Sequence, residues 1–370
     1  MAANRRDFSV TYPGRSDEGH RRKLAFIFSG QGSQWSGMGR SLFEQDPVFR
    51  GTLQQCDELM STSLDWSLLK VITEVGNKAW PNRIDIIQPM LFAIQISLAA
   101  VWRSWSIQPD VVVGHSMGEV AAAHVAGALD LKDAVQIICR RSLILKRASG
   151  TGAMVAVRLS IDQALEAIAG YEDCVAVAAC NSPTSTVLSG EQTALEQVIN
   201  RLKLQHVFCH RVNVDVASHS QHMTPFIADL MKAIEGFEPR PTSVPIYSTV
   251  TGDICPGENF DASYWVRNLR DSVQFSTVVE RLMADDIDIF LEISPHPVLL
   301  PAIQEGLLHH RREGTLLPSL CRKKEEQATM LASLSVLRSI MRPDEALLSV
   351  DSEVYSRKAF GRPSAFRVLN

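Results

Sequence analysis

The residues with the clearest chemical potential lie in the pentapeptide Gly114-His-Ser-Met-Gly118. Its G-x-S-x-G spacing is that of a nucleophile elbow, in which a serine sits on a sharp turn between a strand and a helix. The apolar run 111–113 predicts the strand, and the small-residue run 119–129 predicts the helix. Free N–H groups at that helix start favour negative charge beside the serine, as an acyl tetrahedral intermediate requires. Ser116 is therefore the candidate nucleophile; a plain strand-to-helix turn built from small residues is the alternative.

A serine nucleophile needs a base, and histidine is the usual one. Of the ten histidines in the chain, His219 is the best candidate. It follows the apolar segment 212–216, where the chain leaves a predicted inserted subdomain. A histidine that is merely hydrogen-bonded in a loop is the alternative. His115 adjoins the serine, but neighbouring side chains at a tight turn point in opposite directions.

Alternating strand and helix patterns must position these groups, and they predict an α/β fold with a parallel, doubly wound sheet. The apolar run 23–28 predicts a buried strand that leads into a glycine-rich loop at Gln31. That glycine spacing matches neither a dinucleotide fingerprint nor a P-loop, which excludes phosphate binding there. Because ligands bind at the carboxyl ends of such strands, the stretches ending at Gln31, Ser116 and His219 are expected to converge.

Residues 151–211 have a different pattern, which reads strand, helix, two strands, helix and strand. This βαββαβ order predicts a small ferredoxin-like subdomain inserted into the larger one. The predicted organisation is then a polar N-terminal tail (1–22), a large α/β subdomain (23–150 and 212–335), the insert (151–211) and a C-terminal linker (336–370).

Composition excludes several classes of protein. The chain has 370 residues, of which 45% are hydrophobic and 21% charged, and a net charge of −4 without a basic block. This argues against a nucleic-acid or anionic-membrane partner. A polar N-terminus and the lack of a bilayer-length apolar run argue against a signal peptide and a membrane span. The seven scattered cysteines include no C-x-x-C pair, so we expect reduced thiols in the cytoplasm and no metal site.

Six motifs together are highly specific, and on them the chain closely resembles the acyltransferase domain of modular type I polyketide synthases. That family is related to malonyl-CoA:acyl carrier protein transacylases. The stretches that match it, in the family's order, are 28–34, 114–119, 128–129 with 141–142, 181–183 with 189–190, 216–220 and 291–297. The resemblance covers roughly residues 23 to 335, and it implies an α/β-hydrolase-like large subdomain.

The resemblance also implies roles for individual residues. Ser116 would be acylated, with His219 as its base in a dyad that requires no acid. The backbone N–H groups of Gln31 and Met117 would form the oxyanion hole. Arg141 would pair with the free carboxylate of a dicarboxylic acyl group, which suits the bidentate geometry of a guanidinium. Taken alone, that arginine would more simply form a surface ion pair on its helix.

Four further residues are assigned to the acyl pocket by the resemblance: Val216, Ser218, His115 and Gln274. Gln274 matches a position whose backbone carbonyl orients the histidine in relatives. Many relatives have Tyr-Ala-Ser-His or His-Ala-Phe-His where this chain has Val-Ala-Ser-His219. The first tends to accompany methylmalonyl and the second malonyl selection. Ser218 leaves space beside the acyl α-carbon, which predicts methylmalonyl, with malonyl and ethylmalonyl as rivals.

The predicted function is to load a malonyl-type extender unit from a coenzyme A thioester onto the phosphopantetheine thiol of an acyl carrier protein. The resemblance implies no bound metal or redox cofactor, and it implies the carrier, the ketosynthase and other synthase domains as partners. An esterase or thioesterase of the α/β-hydrolase class is the alternative, because Asp215 precedes His219 and the order of the chain does not exclude a triad. A docking module with a relict site is a third, non-enzymatic hypothesis.

Overall fold

The computed structural model describes residues 21–74 and 83–341. Most of the predicted N-terminal tail, and residues 342–370 of the predicted C-terminal linker, lie outside the described residues. The strands are β1 (Leu24–Phe28), β2 (Val111–Gly114), β3 (Ala153–Val157), β4 (Val175–Ser182), β5 (Ser185–Gly190), β6 (Cys209–Arg211), β7 (Ile246–Ser248), β8 (Asp253–Ile254), β9 (Ile289–Ile293) and β10 (Thr315–Pro318).

Thirteen α-helices occur in the part of the chain that the structure describes, together with two short 3₁₀ turns at Gln221–Phe226 and Gly257–Asn259. The helices are α1 (Arg40–Gln45), α2 (Pro47–Met60), α3 (Leu68–Thr73), α4 (Ile84–Ser104), α5 (Gly118–Ala126), α6 (Leu131–Arg147), α7 (Ile161–Ala167), α8 (Gln192–Leu204), α9 (Ile227–Ala233), α10 (Ala262–Arg270), α11 (Phe275–Ala284), α12 (Leu300–His309) and α13 (Glu326–Met341).

The larger sheet has six strands in the order β10-β9-β1-β2-β7-β8. All neighbours are parallel except β7 and β8. The predicted α/β fold is confirmed, and the sheet, predicted to be parallel, is mixed because β8 pairs antiparallel at its edge. Every residue of β1 is buried, as expected for a central strand covered on both faces. Its last residue, Phe28, lies opposite Gly114 of β2 and Ile293 of β9. The carboxyl ends of these strands therefore meet at one edge.

The smaller sheet is antiparallel, with the strand order β4-β5-β3-β6. Along the chain its elements run β3-α7-β4-β5-α8-β6, the order that the sequence predicts for residues 151–211. The sheet has an apolar cluster of its own, which includes Val155, Leu188 and Leu195. The smaller sheet is therefore stabilised in part by an apolar core that is separate from that of the larger sheet.

Helix α4 is long and apolar enough to cross a membrane by length and composition. However, 94% of its most apolar window is buried inside the protein, where the helix packs against α2 and α6. In the part of the chain that the structure describes, no other helix meets the same criterion. The burial assigns α4 to the apolar core of the protein.

The predicted boundary between the large subdomain and the C-terminal linker is wrong at residues 336–341. Helix α13 continues through them to Met341, and Leu337 is fully buried. At the other end of α13, Glu326 accepts hydrogen bonds from the backbone amides of Gly39 and Leu42 at 2.6 and 3.0 Å. These contacts hold α13 against the start of α1.

Candidate active site

Ser116 lies on a sharp turn between β2 and α5, with a φ of +54° in the left-handed region. The flanking glycines are required by packing. A Cβ on Gly114 would lie 2.2 Å from Cα of Glu119, and one on Gly118 would lie 2.3 Å from the carbonyl oxygen of Phe28. The glycines therefore let β2, the turn and α5 approach closely enough for the serine side chain to project.

Ser116 Oγ and His219 Nε2 are 2.7 Å apart. On the other side of the ring, His219 Nδ1 lies 2.9 Å from the backbone oxygen of Asp271. Because a carbonyl only accepts, Nδ1 carries the proton and Nε2 accepts from the serine hydroxyl. The predicted orienting role of Gln274 is therefore wrong: the carbonyl belongs to Asp271, three residues earlier, while the Gln274 amide donates to the Thr249 carbonyl at 2.7 Å.

Arg141 is 2% exposed and lies beside the same serine. Its Nη2 donates to Ser116 Oγ at 3.2 Å and its Nη1 to Gln88 Oε1 at 2.6 Å, while the buried Nε has no partner among the described residues. Burial lowers the pKa of Arg141 to about 10, which leaves the guanidinium charged at neutral pH. No described carboxylate forms an ion pair with it, so the site holds a buried cation suited to an anionic ligand.

The imidazole of His219 is kept neutral by its surroundings. Burial is the main cause that lowers its pKa to about 3, and the positive charge of Arg141 adds to it. The hydrogen bond to the Asp271 carbonyl opposes these effects only in part. A neutral imidazole is the form that accepts a proton, so this arrangement provides a ready general base.

The amides of Gln31 and Met117 follow the ends of adjacent strands. Gln31 comes three residues after Phe28, and Met117 three residues after Gly114, which is the residue paired with Phe28. In the described part of the chain neither amide donates to another group. The Gln31 loop is held in place by Gln95, whose Nε2 donates to the carbonyl of Ser29 at 2.7 Å.

The comparison with known families decides the identity of the chain. Residues 25–341 match the family model described as the acyl transferase domain. The chain belongs to this family. It is thus an acyltransferase domain of the kind found in polyketide synthases, and it is a transferase.

The relatives agree with this assignment. The acyltransferase domain is 41% identical over 329 residues to polyketide synthase GfsE of Streptomyces halstedii, a match that covers 87% of this chain and 9% of that protein. Among solved structures, the acyltransferase domain from module 8 of the salinomycin polyketide synthase has a TM-score of 0.82 at 38% identity, over 84% of this chain and 74% of that one. A loading acyltransferase from the avermectin synthase has the same TM-score at 37% identity, over 85% and 99%.

A buried hydrogen-bond network behind the elbow was not predicted from the sequence. The carboxylate of Glu119, fully buried, accepts from the Thr249 amide at 2.5 Å, the Thr249 hydroxyl at 2.9 Å, the Tyr264 hydroxyl at 2.8 Å and Asn268 Nδ2 at 2.8 Å. The same Nδ2 of Asn268 lies 3.0 Å from the backbone oxygen of Ser116. An ionisable residue within a small-residue helix was the one available signal for this network.

The predicted pocket residues fall into two groups in this acyltransferase domain. Val216 and Ser218 are buried on the segment that carries His219. His115 turns away from the serine: its Nε2 lies 2.8 Å from Asn181 Oδ1, and its ring packs 5.6 Å from that of Phe275. No group of three or more His, Cys, Asp or Glu side chains suited to hold a metal ion occurs within residues 21–74 and 83–341.

Proposed function

We propose that this acyltransferase domain loads a malonyl-type group from coenzyme A onto Ser116 and then passes it to the phosphopantetheine thiol of an acyl carrier protein. One observation carries the proposal: Ser116 Oγ lies 2.7 Å from a neutral histidine and 3.2 Å from a buried guanidinium that forms no ion pair with any described residue. The first contact suits nucleophilic attack. The second suits a substrate that brings its own carboxylate.

In the first half-reaction, His219 Nε2 takes the proton from Ser116 as Oγ attacks the thioester carbonyl carbon. The negative charge on the carbonyl oxygen is stabilised by the amides of Gln31 and Met117. Collapse of the tetrahedral intermediate breaks the C–S bond, and the leaving thiolate of coenzyme A takes the proton from His219. The product is an ester on Ser116 and a free thiol.

The second half-reaction reverses these roles with a new thiol. The carrier's phosphopantetheine thiol gives its proton to His219 and attacks the ester carbonyl of the acylated serine. The C–O bond to Ser116 breaks, and His219 returns the proton to Oγ. Donor and acceptor use the same groups in turn, which is ping-pong covalent catalysis through side chains and amides of the chain itself.

The dicarboxylic class of the substrate is inferred from Arg141. A free carboxylate bound to its guanidinium would hold the thioester carbonyl against the serine and would compensate the buried charge. For the α-substituent, the buried Ser218 supports methylmalonyl, with malonyl and ethylmalonyl as rivals. The difference is small, because one methylene in a pocket is worth about 1–3 kcal/mol.

The wider setting is part of the same proposal, since this chain spans only 9% of the length of GfsE. We place the domain in a cytoplasmic polyketide synthase with a ketosynthase and a carrier as partners, and its seven free cysteines support that compartment. Residues 151–211 would form a ferredoxin-like subdomain inserted between 23–150 and the chain from 212 onward, in an α/β-hydrolase-like large subdomain. The strand order of the two sheets supports this division.

The hydrolase alternative lacks support at the histidine. A triad would place a carboxylate on His219 Nδ1, whereas the Asp215 carboxylate accepts from the Ser149 hydroxyl and Nδ1 faces a carbonyl. Product analysis with malonyl-CoA separates the two functions. A transferase moves the acyl group to added holo-carrier protein, whereas a thioesterase releases free malonate at the same rate with and without the carrier.

Intact-protein mass spectrometry tests the proposal directly. The chain is exposed to malonyl-, methylmalonyl-, ethylmalonyl- and acetyl-CoA, singly and in competition, and the adduct mass identifies the acyl group. We expect a malonyl-type adduct that is absent from Ser116→Ala and that forms roughly 10²–10⁴-fold more slowly in His219→Ala. An undiminished adduct in Ser116→Ala would rule out this serine as the nucleophile.

A further inference from the structure

A basic turn follows β10 at the carboxyl edge of the large sheet. Its residues Arg322, Lys323 and Lys324 are consecutive and exposed. Arg322 Nη2 donates to the backbone oxygen of Gln34 at 2.9 Å, and its amide donates to His296 Nδ1 at 3.3 Å. The turn is therefore fastened to the loop that carries the oxyanion-hole candidate Gln31, three residues before Gln34.

The cations of this turn form no ion pairs with the neighbouring carboxylates that the structure describes. None of its three cations forms an ion pair within the described part of the chain, although eleven other Arg and Lys residues there do. The two nearest acidic residues in the sequence are engaged elsewhere. Glu325 accepts from the Ala328 amide at 2.5 Å, and the buried Glu326 accepts from the amides of Gly39 and Leu42. The turn thus presents three positive groups to an external anion.

The position of the turn relative to Ser116 follows from the sheet. Strands β10, β9, β1 and β2 are parallel neighbours, so the end of β10 and the elbow after β2 lie at the same edge, three strand spacings apart, and the turn begins four residues beyond β10. Three spacings are ~14 Å. A pantetheine arm has about twelve bonds between its sulfur and its phosphate, equivalent to roughly four extended residues or ~14 Å. An arm whose sulfur reaches Ser116 therefore has the length to span from the elbow to β10, the strand that the turn follows, and Arg322 ties the turn back to the Gln34 loop.

We propose that the turn Arg322–Lys324 binds the phosphate at the end of the pantetheine arm. Coenzyme A and a holo-carrier protein share this phosphate, so the turn would serve the donor and the acceptor in the two half-reactions. Arg322 also donates a hydrogen bond to the Gln34 loop, whereas Lys323 and Lys324 would contribute only their charge. This inference rests on the proposed function, because it assumes that the arm delivers an acyl group to Ser116.

The test compares the acylation of Ser116 by malonyl-CoA, malonyl-phosphopantetheine and malonyl-pantetheine, which has no phosphate. The variant is Lys323→Gln/Lys324→Gln, which leaves Arg322 in place. The matched control is Lys203→Gln/Arg311→Gln, which also removes two exposed cations. We expect the first variant to lose about tenfold in the second-order rate with both phosphate-bearing donors, at an unchanged maximal rate. Malonyl-pantetheine should react equally with wild type and both variants.

Each other outcome is also decisive. An equal loss with malonyl-pantetheine, or no loss with malonyl-phosphopantetheine, overturns the assignment. A loss confined to malonyl-CoA would mean that the turn binds the phosphates of the adenosine moiety, and this result would overturn the assignment too. Transfer from acylated Ser116 to holo-carrier should fall about tenfold in the same variant, and undiminished transfer contradicts a shared site. If no donor acylates the wild type, it is the proposed function that fails.

Discussion

Ser116 and His219 both adopt left-handed backbone conformations, with φ of +54° and +58°, which residues other than glycine seldom take. Such conformations persist where the surrounding structure over-determines them, and they are concentrated at functional sites. For His219 the constraint is visible in its amide, which donates to the Leu269 carbonyl at 3.0 Å, and in its ring, which is held by the Asp271 carbonyl. The atoms of the candidate Ser116–His219 dyad are thus positioned before any substrate arrives.

Arg141 should select dicarboxylic over monocarboxylic acyl groups. Loss of one partner of a desolvated charge pair costs about 2–5 kcal/mol, so Arg141→Ala is expected to load malonyl-type groups roughly 30- to several-thousand-fold more slowly. The loading of acetyl and propionyl groups, which have no free carboxylate, should slow far less. Acylation rates with malonyl-CoA and acetyl-CoA measure the difference.

The neighbouring Arg140, exposed on the same helix, supplies the control for Arg141. Arg140→Ala should change neither rate. Arg141→Met, which keeps most of the volume, should melt no lower than wild type, because the charge that it removes has no ion-pair partner among the described residues. An equal loss with both donors in Arg141→Ala would make this arginine structural.

The low pKa of His219 predicts how activity responds to pH. With a pKa of about 3 the imidazole stays neutral through the mildly acidic range, so acylation by acetyl-CoA should show no inflection near pH 6.5. A malonyl carboxylate on Arg141 cancels the second cause of the shift, so the pKa of His219 should be higher in that complex. Single-turnover acylation between pH 5 and 8 with both donors measures this, and a fall near pH 6.5 with acetyl-CoA would contradict it.

The same pKa has a consequence for folding stability. The unfolded histidine binds a proton near pH 6.5 and the folded one only near pH 3, so stability rises with pH between these values. The contribution of neutral His219 is fully present above pH 6.5 and is lost as the pH falls toward 3. His219→Asn should therefore lose less stability on acidification than wild type in chemical denaturation.

At the scale of elements, the elbow depends on how closely α5 approaches β1 and β2. Glu119 in the first turn of α5 connects Thr249, which follows β7, with Tyr264 and Asn268 of α10. Burial raises the pKa of Glu119, and four hydrogen bonds from these residues oppose that shift. One buried carboxylate thus links α5, the helix that follows the elbow, to the residue after β7 and to α10, the helix before Asp271.

Gly118→Ala tests this close approach. Its Cβ would lie 2.3 and 2.7 Å from the backbone oxygens of Phe28 and Ser29, which cannot rotate away. We expect a loss of about 1–3 kcal/mol in the free energy of unfolding, together with slower acylation of a displaced Ser116. Gly51→Ala is the matched control. Gly51 lies within α2, with nothing within 4 Å of the added Cβ, so the free energy of unfolding of this variant should be about 0.5–1 kcal/mol higher than that of wild type. Similar stability of the two variants would contradict the steric argument.

At the scale of the whole molecule, strand β4 of the small sheet contacts both the segment that orients His219 and the elbow that carries Ser116. The Cys180 amide donates to the Val273 carbonyl at 3.0 Å, and the Val273 amide donates to Ala178 at 2.9 Å. Val273 lies two residues after Asp271, whose carbonyl holds the histidine. At the end of β4, Asn181 contacts His115 beside the candidate nucleophile. The small sheet therefore helps to position the candidate base and the elbow, and it supplies neither residue of the candidate dyad.

The extent of the folded unit can be tested by truncation. A chain that ends at residue 335 loses the last six residues of α13, including the fully buried Leu337. Removal of a buried leucine of this kind costs about 2–5 kcal/mol, so this chain should melt several degrees below one that ends at residue 341. Equal melting temperatures would mean that the end of α13 contributes nothing to the fold.

The sequence alone determined the features that depend on neighbours in the chain. Gly-x-Ser-x-Gly within five residues, after an apolar strand and before a small-residue helix, specifies the elbow because strand, turn and helix are contiguous. The strands and helices of the small sheet were predicted for the same reason, since periodicity and turn residues report local structure. His219 was the best candidate base from its place after the apolar segment 212–216, and the family resemblance added Arg141 and the amides by matching motifs rather than by geometry.

Tertiary structure alone decided which distant groups meet. The partner of His219 Nδ1 is a carbonyl 52 residues away, that of Arg141 Nη1 an amide 53 residues away, and that of the Ser116 carbonyl an amide 152 residues away. Such contacts depend on strand order and on the register of separate loops, and a shift of three residues replaced Gln274 with Asp271. No local pattern encodes that register, because it follows from how the two sheets and their helices pack together.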